Sequence, residues 1–205
     1  MTHALIAFTL AAGLLTITPG LDTALVLRTA AVEGPRRAML AGAGICLGCL
    51  TWGLASAIGL GALLSVSRFA YGALRLAGAC YLIVLGARMF RRAPLRVALE
   101  AEEPDRGGRW FTRGLLTNLL NPKVGVFYVT FLPQFVPAGM SVTGFIMLLA
   151  GIHATEGILW FALLTLATRP LASWLDRPRV ARTIDRTTGV MLVGFGVGLL
   201  LERRA

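Results

Sequence analysis

Thirty consecutive residues between Arg37 and Arg68 carry no acidic, basic or histidine side chain. About 20 apolar residues, rising ~1.5 Å each, cross the hydrocarbon core of a bilayer. A helix on a soluble domain keeps one polar face, and this run has none to offer. The rest of the chain agrees, with 56% apolar and only 15% charged residues, against roughly 45–50% and about 25% in soluble domains. The 205 residues therefore read as one integral membrane domain, 1–205, with no room for a separate soluble unit.

Six apolar segments can be marked: Ala4–Leu27, Met39–Val66, Phe69–Ala87, Gly114–Pro137, Val142–Ala167 and Thr187–Leu201. The expectation is an all-α membrane protein of six transmembrane helices. The net charge of +10 comes from 19 Arg and one Lys set against ten acids. Such a balance fits nucleic acid only if the arginines share a surface. Here 15 of the 19 fall in alternate connections: 1–2, 3–4 and 5–6. That is the positive-inside pattern of a multi-pass membrane protein, and no nucleic-acid partner is expected. All three basic connections can be cytoplasmic only if segments 3 and 6 both cross, short as they are between Arg75 and Arg88 and between Arg186 and Glu202. Their flanking arginines must then snorkel to the interface. Both termini should face outside. The N-terminus lacks a basic n-region and a cleavage site, so it reads as a retained first helix. The connection at about 91–109 mixes Pro and Gly with acids and arginines and reads as a mobile cytoplasmic loop.

A faint internal repeat accompanies this layout. Gly13-Leu-Leu-Thr16 precedes Pro19 as Gly114-Leu-Leu-Thr117 precedes Pro122, and Arg75–Gly78 matches Arg186–Gly189. Three spans per repeat would give two inverted halves, an arrangement common among secondary transporters.

Ionisable residues inside spans are the candidates for chemistry. Pro19 removes a helix hydrogen bond and Gly20 loosens the next position, so the first helix should break there. Asp22 follows, either as a functional carboxylate or as a cap on the half-helix after the break. In the fourth segment Asn118-Leu-Leu-Asn-Pro-Lys123 contains the second break, at Pro122. Pro19 lies nine residues before Arg28 and Pro122 nine after Arg113, which puts both breaks ~13 Å from the cytoplasmic edge. Lys123, the sole lysine, stands at that depth, where snorkelling reaches poorly; Asp22 is its obvious partner. Asn118 and Asn121 either satisfy backbone groups released by Pro122 or contact substrate. His153 and Glu156 share a helix face at i, i+3, giving Glu156 a proton-carrying role or a plain inter-helix contact.

Other readings find less support. A metal site needs more ligands than His153 and Glu156 supply, and the other histidine, His3, is at the far end of the chain. No metal and no cofactor are expected, though a metal-ion exporter resting on His153 is one alternative function. Cys46-Leu-Gly-Cys49 has redox spacing, the basis of a second alternative, a membrane thiol–disulfide carrier; in a glycine-rich helix the same cysteines serve as small packing residues. Gly44-x-x-x-Gly48 and Gly194-x-x-x-Gly198 permit close helix approach, within the bundle or between two copies in a homodimer. The lone lysine sits in Asn-Pro-Lys-Val-Gly, so there is no Walker loop for ATP, and no hydrolase motif appears. The chain is not expected to be an enzyme.

Several blocks together resemble a known family. Pro-Gly-Leu-Asp22, Gly78-Ala-Cys-Tyr-Leu82 followed by Leu85-Gly86, Phe111-x-x-Gly114 leading into Asn118-Leu-Leu-Asn-Pro-Lys123, Phe131-Leu-Pro-Gln-Phe135 and Gly194-Phe-Gly-Val-Gly198 are similar to the lysine exporter (LysE/Rht-type) family. In that family the first block usually reads Pro-Gly-Pro-Asp; Leu21 replaces its second proline here. The resemblance implies a six-helix inner-membrane exporter of amino acids and related zwitterionic metabolites, driven by the proton gradient. Within the bilayer, such a substrate would set its carboxylate against N–H groups of a broken helix and its ammonium near Asp22.

Overall fold

A computed structural model describes residues 1–66, 109–137, 139–167 and 177–201, with scattered positions between 73 and 90. Among the described residues every regular element is helical. The first apolar segment is two helices, α1 (Thr2–Ile17) and α2 (Leu21–Val32), bent by 52°. The bend follows from the sequence: Pro19 offers no N–H, and Thr18 and Gly20 on either side are extended. Gly34, at φ 92°, supplies the turn that only glycine makes cheaply. Pro35 then opens α3 (Pro35–Val66), a first-turn position where its missing N–H costs nothing.

The second break lies between α4 (Trp110–Leu119) and α5 (Pro122–Val126). The chain continues through a π-helical turn, Phe127–Phe131, and a 3-10 turn, Leu132–Phe135, 56° away from α4. Ser141 caps α6 (Val142–Leu166), its Oγ accepting from the Gly144 N–H at 3.2 Å. The last helix is α7 (Pro178–Leu201), which starts nine residues before the expected apolar segment. Its first turns carry Arg179, Arg182 and Arg186, so charge rather than helix marked the sequence boundary. The third expected segment, Phe69–Ala87, and the 91–109 connection lie largely outside the described residues.

By length and composition α3 and α6 can each cross a bilayer, and each bent pair adds one more candidate crossing. Large apolar side chains face outward along them, Leu10, Leu120, Leu159 and Leu166 among them. In water that surface would be an aggregation hazard; in lipid it is the expected exterior.

The directions of the helices follow from who touches whom. Gly44 faces Phe111 and Leu115, and Gly48 faces Asn118, so α3 and α4 run parallel. A Cβ on Gly44 would lie 2.0 Å from the Phe111 carbonyl oxygen, and one on Gly114 would lie 2.0 Å from that of Ala41. The two backbones touch because neither residue has a side chain. Gly44 and Gly48 are thus occupied within the bundle. Along α6 the order reverses: Gly42 meets Phe161, Cys46 meets Gly157 and Gly53 meets Ala150, so α3 and α6 are antiparallel. Near the C-terminus, Gly86 approaches Gly189 and Val193, while Gly196 approaches Ala79 and Ile83. That contact is reciprocal and antiparallel, with matching spacing on both sides.

Two apolar clusters flank the breaks. One gathers Phe8, Phe127, Tyr128, Phe131 and Leu149; the other gathers Val26, Leu27, Ile45, Phe161 and Leu164.

Candidate functional site

Each break leaves backbone groups that lipid cannot satisfy. In α1 the Leu15 carbonyl would bond the N–H of residue 19, which is proline and has none. Lys123 fills the gap: its Nζ donates to Leu15 O at 3.0 Å and to Thr18 O at 3.2 Å. The ammonium of one broken helix therefore closes the C-terminal end of the other, where the helix dipole favours positive charge. A Cβ on Gly20 would stand 3.7 Å from that Nζ, so the lysine crosses directly over the first break.

The second break is closed from within. Asn121 Oδ1 accepts from the Lys123 N–H at 3.1 Å and caps α5, whose first residue is Pro122. The Asn121 N–H in turn donates to Asn118 O at 3.0 Å, the carbonyl that Pro122 would otherwise orphan. No comparable side chain caps α2: its N-cap is Gly20, and Asp22 lies in the first turn, where a negative charge is favourable.

Asp22 and Asn118 form the second bridge between the broken pairs. Asn118 Nδ2 donates to Asp22 Oδ2 at 2.9 Å and also lies 3.6 Å from the Cys49 sulfur. Asp22 Oδ1 and Asn118 Oδ1 are buried with no hydrogen-bond partner. A buried carboxylate oxygen left open is costly, and it marks where a cationic or proton-bearing guest would be welcome.

A cavity of about 40 Å³ opens at this crossing, room for about three water molecules. Gly20, Asp22, Asn121 and Lys123 line it. Thr16 and Thr18 are also in its wall, though their hydroxyls are turned back to the carbonyls of Ala12 and Leu14. Ile45, Cys46, Gly157 and Phe161 of α3 and α6 line it as well. His153 completes the wall, buried, with Nδ1 2.9 Å from the Tyr128 hydroxyl.

Of the residues expected from sequence, Gly20, Asp22, Asn121 and Lys123 meet at the cavity. Asn118 supports Asp22 from behind, and Pro19 and Pro122 create the breaks. Glu156 stands elsewhere: it packs against Gly13 of α1, with Oε2 buried and lacking a hydrogen-bond partner. The Lys123 ammonium, expected beside Asp22, bonds the carbonyls of the first break, and both residues line the same cavity. Cys46 and Cys49 are free thiols, with Cys46 Sγ donating to Ala154 O at 3.4 Å. Among the described residues no group of three metal-ligating side chains occurs. The sequence singles out His153 but neither its partner Tyr128 nor the Gly157–Phe161 wall, which read as ordinary helix packing positions.

With this geometry in place, comparisons with known proteins become informative. The LysE type translocator model matches residues 14–203, which takes in both breaks and α3 to α7. The homoserine/homoserine lactone efflux protein of Salmonella typhimurium is 30% identical over 200 residues, covering 97% of each chain. The threonine efflux protein of Escherichia coli K12 is 28% identical over 191 residues, covering 91% of this chain and 92% of its own. The membrane protein YrhP of Bacillus subtilis is 29% identical over 204 residues, 95% of this chain and 97% of the relative. No solved structure matches.

Proposed function

Because the chain belongs to the LysE type translocator family, whose members are transporters and not enzymes, we propose that it exports small amino acids across the bacterial inner membrane, in which it is a multi-pass protein. The observation that carries this reading is the crossing of two broken helices around one cavity, with Asp22 and Lys123 at its edge. Relatives over nearly the whole length are named for efflux of threonine and of homoserine and its lactone.

In the proposed mechanism the substrate ammonium meets the open Asp22 oxygen, while its carboxylate meets the uncapped N-terminus of α2 or the Lys123 ammonium. Discontinuous helices serve such roles in other transporters. Asp22 then holds either the ammonium or a proton, not both, which couples export to the proton gradient. Asn118 and Asn121 hold the two breaks in register, and Glu156 is the second candidate proton carrier.

Six crossings and two inverted three-helix repeats belong to the same proposal. Two neighbours that run parallel, α3 and α4, need a return crossing between them, which supports a span in the Phe69–Ala87 region. The reciprocal contact of Gly86 with Gly189 and of Gly196 with Ala79 is what a two-fold relation between halves would produce. The chain then forms one transmembrane domain, 1–205, with the 91–109 loop in the cytoplasm.

The test is export itself. Cells expressing the chain and loaded with labelled amino acids from dipeptides should release them against a gradient. Release should stop when a protonophore collapses the proton gradient while ATP is maintained; release of no amino acid would contradict the exporter reading.

A further inference from the structure

The lining of the cavity is of two chemical kinds, and only one of them suits the charges of an amino acid. The ionic part is at the breaks, with Asp22, Lys123 and the N-terminus of α2. The apolar part is the seam between antiparallel α3 and α6, with Ile45, Cys46, Gly157 and Phe161. For a substrate whose ammonium and carboxylate are held at the breaks, that seam is the apolar wall its side chain can meet.

The width of the seam is set at one place. Gly157 faces Cys46, and a Cβ added to Gly157 would sit 3.4 Å from the Cys46 sulfur and 3.8 Å from Phe161 Cε2. The missing methyl thus corresponds to a gap about one methyl group wide, closed beyond by sulfur and ring. On its other side Phe161 lies against Gly42, where an added Cβ would come within 3.2 Å of the ring. Cys46 is tied to the Ala154 carbonyl.

We propose that the seam between Cys46, Gly157 and Phe161 is the side-chain subsite, and that the absent Cβ of Gly157 sets the upper size limit of the substrate. The substrate class is then α-amino acids with short aliphatic or hydroxylated side chains. The inference rests on the exporter reading and adds to it the residues that choose among amino acids. One methylene in a closed apolar subsite discriminates by about 10- to 200-fold.

The test uses the full chain in cells, with export of labelled alanine, threonine and leucine measured side by side. Gly157→Ala keeps ordinary van der Waals distances, so the protein should insert normally. It should lower export of the largest amino acid carried by wild type at least about tenfold relative to alanine. Cys46→Ala alone should shift the preference the other way, and the double variant should return to near the wild-type ratios. Unchanged ratios in both single variants would overturn the subsite, as would a Gly157→Ala shift that Cys46→Ala leaves uncorrected. If wild type exports none of the three while the variants insert normally, the exporter reading itself fails.

Discussion

The Lys123 ammonium bonds the Leu15 carbonyl at 3.0 Å, the same carbonyl that Pro19 deprives of its helical partner. Two residues 108 apart in sequence thus form a proline-induced vacancy and its remedy. Lys123→Met should leave the Leu15 and Thr18 carbonyls without this donor, at about 1–3 kcal/mol for a buried unpaired group. The measurement is the thermal midpoint in detergent. Pro19→Ala restores an N–H to Leu15, so the double variant should lose less stability than the two single losses combined. Strict additivity would contradict the capping role.

The bond from Asn118 to Asp22 gives a second expectation. Asn118→Ala removes the hydrogen bond at Asp22 Oδ2 and leaves the carboxylate with neither oxygen held by Asn118. Substrate affinity should fall several-fold while the protein still reaches the membrane. Affinity is read from the concentration dependence of export; an unchanged value would show that Asn118 does not position Asp22.

Close backbone contact between α3 and α4 makes a third. A methyl on Gly114 would come 2.0 Å from the Ala41 carbonyl oxygen, and that oxygen belongs to a helix backbone that cannot turn aside. Gly114→Ala should force the helices apart and cost at least the 1–3 kcal/mol typical of overpacking. Gly151→Ala, where a Cβ meets nothing within 4 Å, is the matched control. Equal melting temperatures for the two variants would contradict the packing.

The arginine distribution leads to a fourth. Single cysteines at positions 96 and 177, in a cysteine-free background, should be shielded from an impermeant thiol reagent in intact cells. A cysteine at Gly139, in the turn before α6, should label. The reverse pattern would invert the topology.

What could be seen in the sequence was whatever depends on one residue's own chemistry. Pro19 and Pro122 break their helices in any surroundings, because each deletes a donor. The long apolar runs that became α3 and α6 were visible from composition alone. Partnerships across the fold were less legible. The Lys123 ammonium bonds two carbonyls of the first break, and nothing in the chain around Lys123 announces those bonds, because their acceptors lie 108 and 105 residues away. Tyr128 reaches His153 through a π-helical turn that no local preference announces. Glu156 shares a helix face with His153 in sequence, yet it packs against Gly13 of α1 while His153 packs against Phe127 and Tyr128.

Export by Asp22→Asn against a concentration gradient tests the central claim most directly. The amide matches the carboxylate in shape and keeps a hydrogen-bonding oxygen for Asn118, but it can take neither a proton nor a charge-paired ammonium. The variant should reach the membrane at wild-type levels and lose uphill export of labelled amino acid. Uphill export at the wild-type rate would contradict the exchange of substrate and proton at Asp22, and Glu156 would then be the carboxylate to examine.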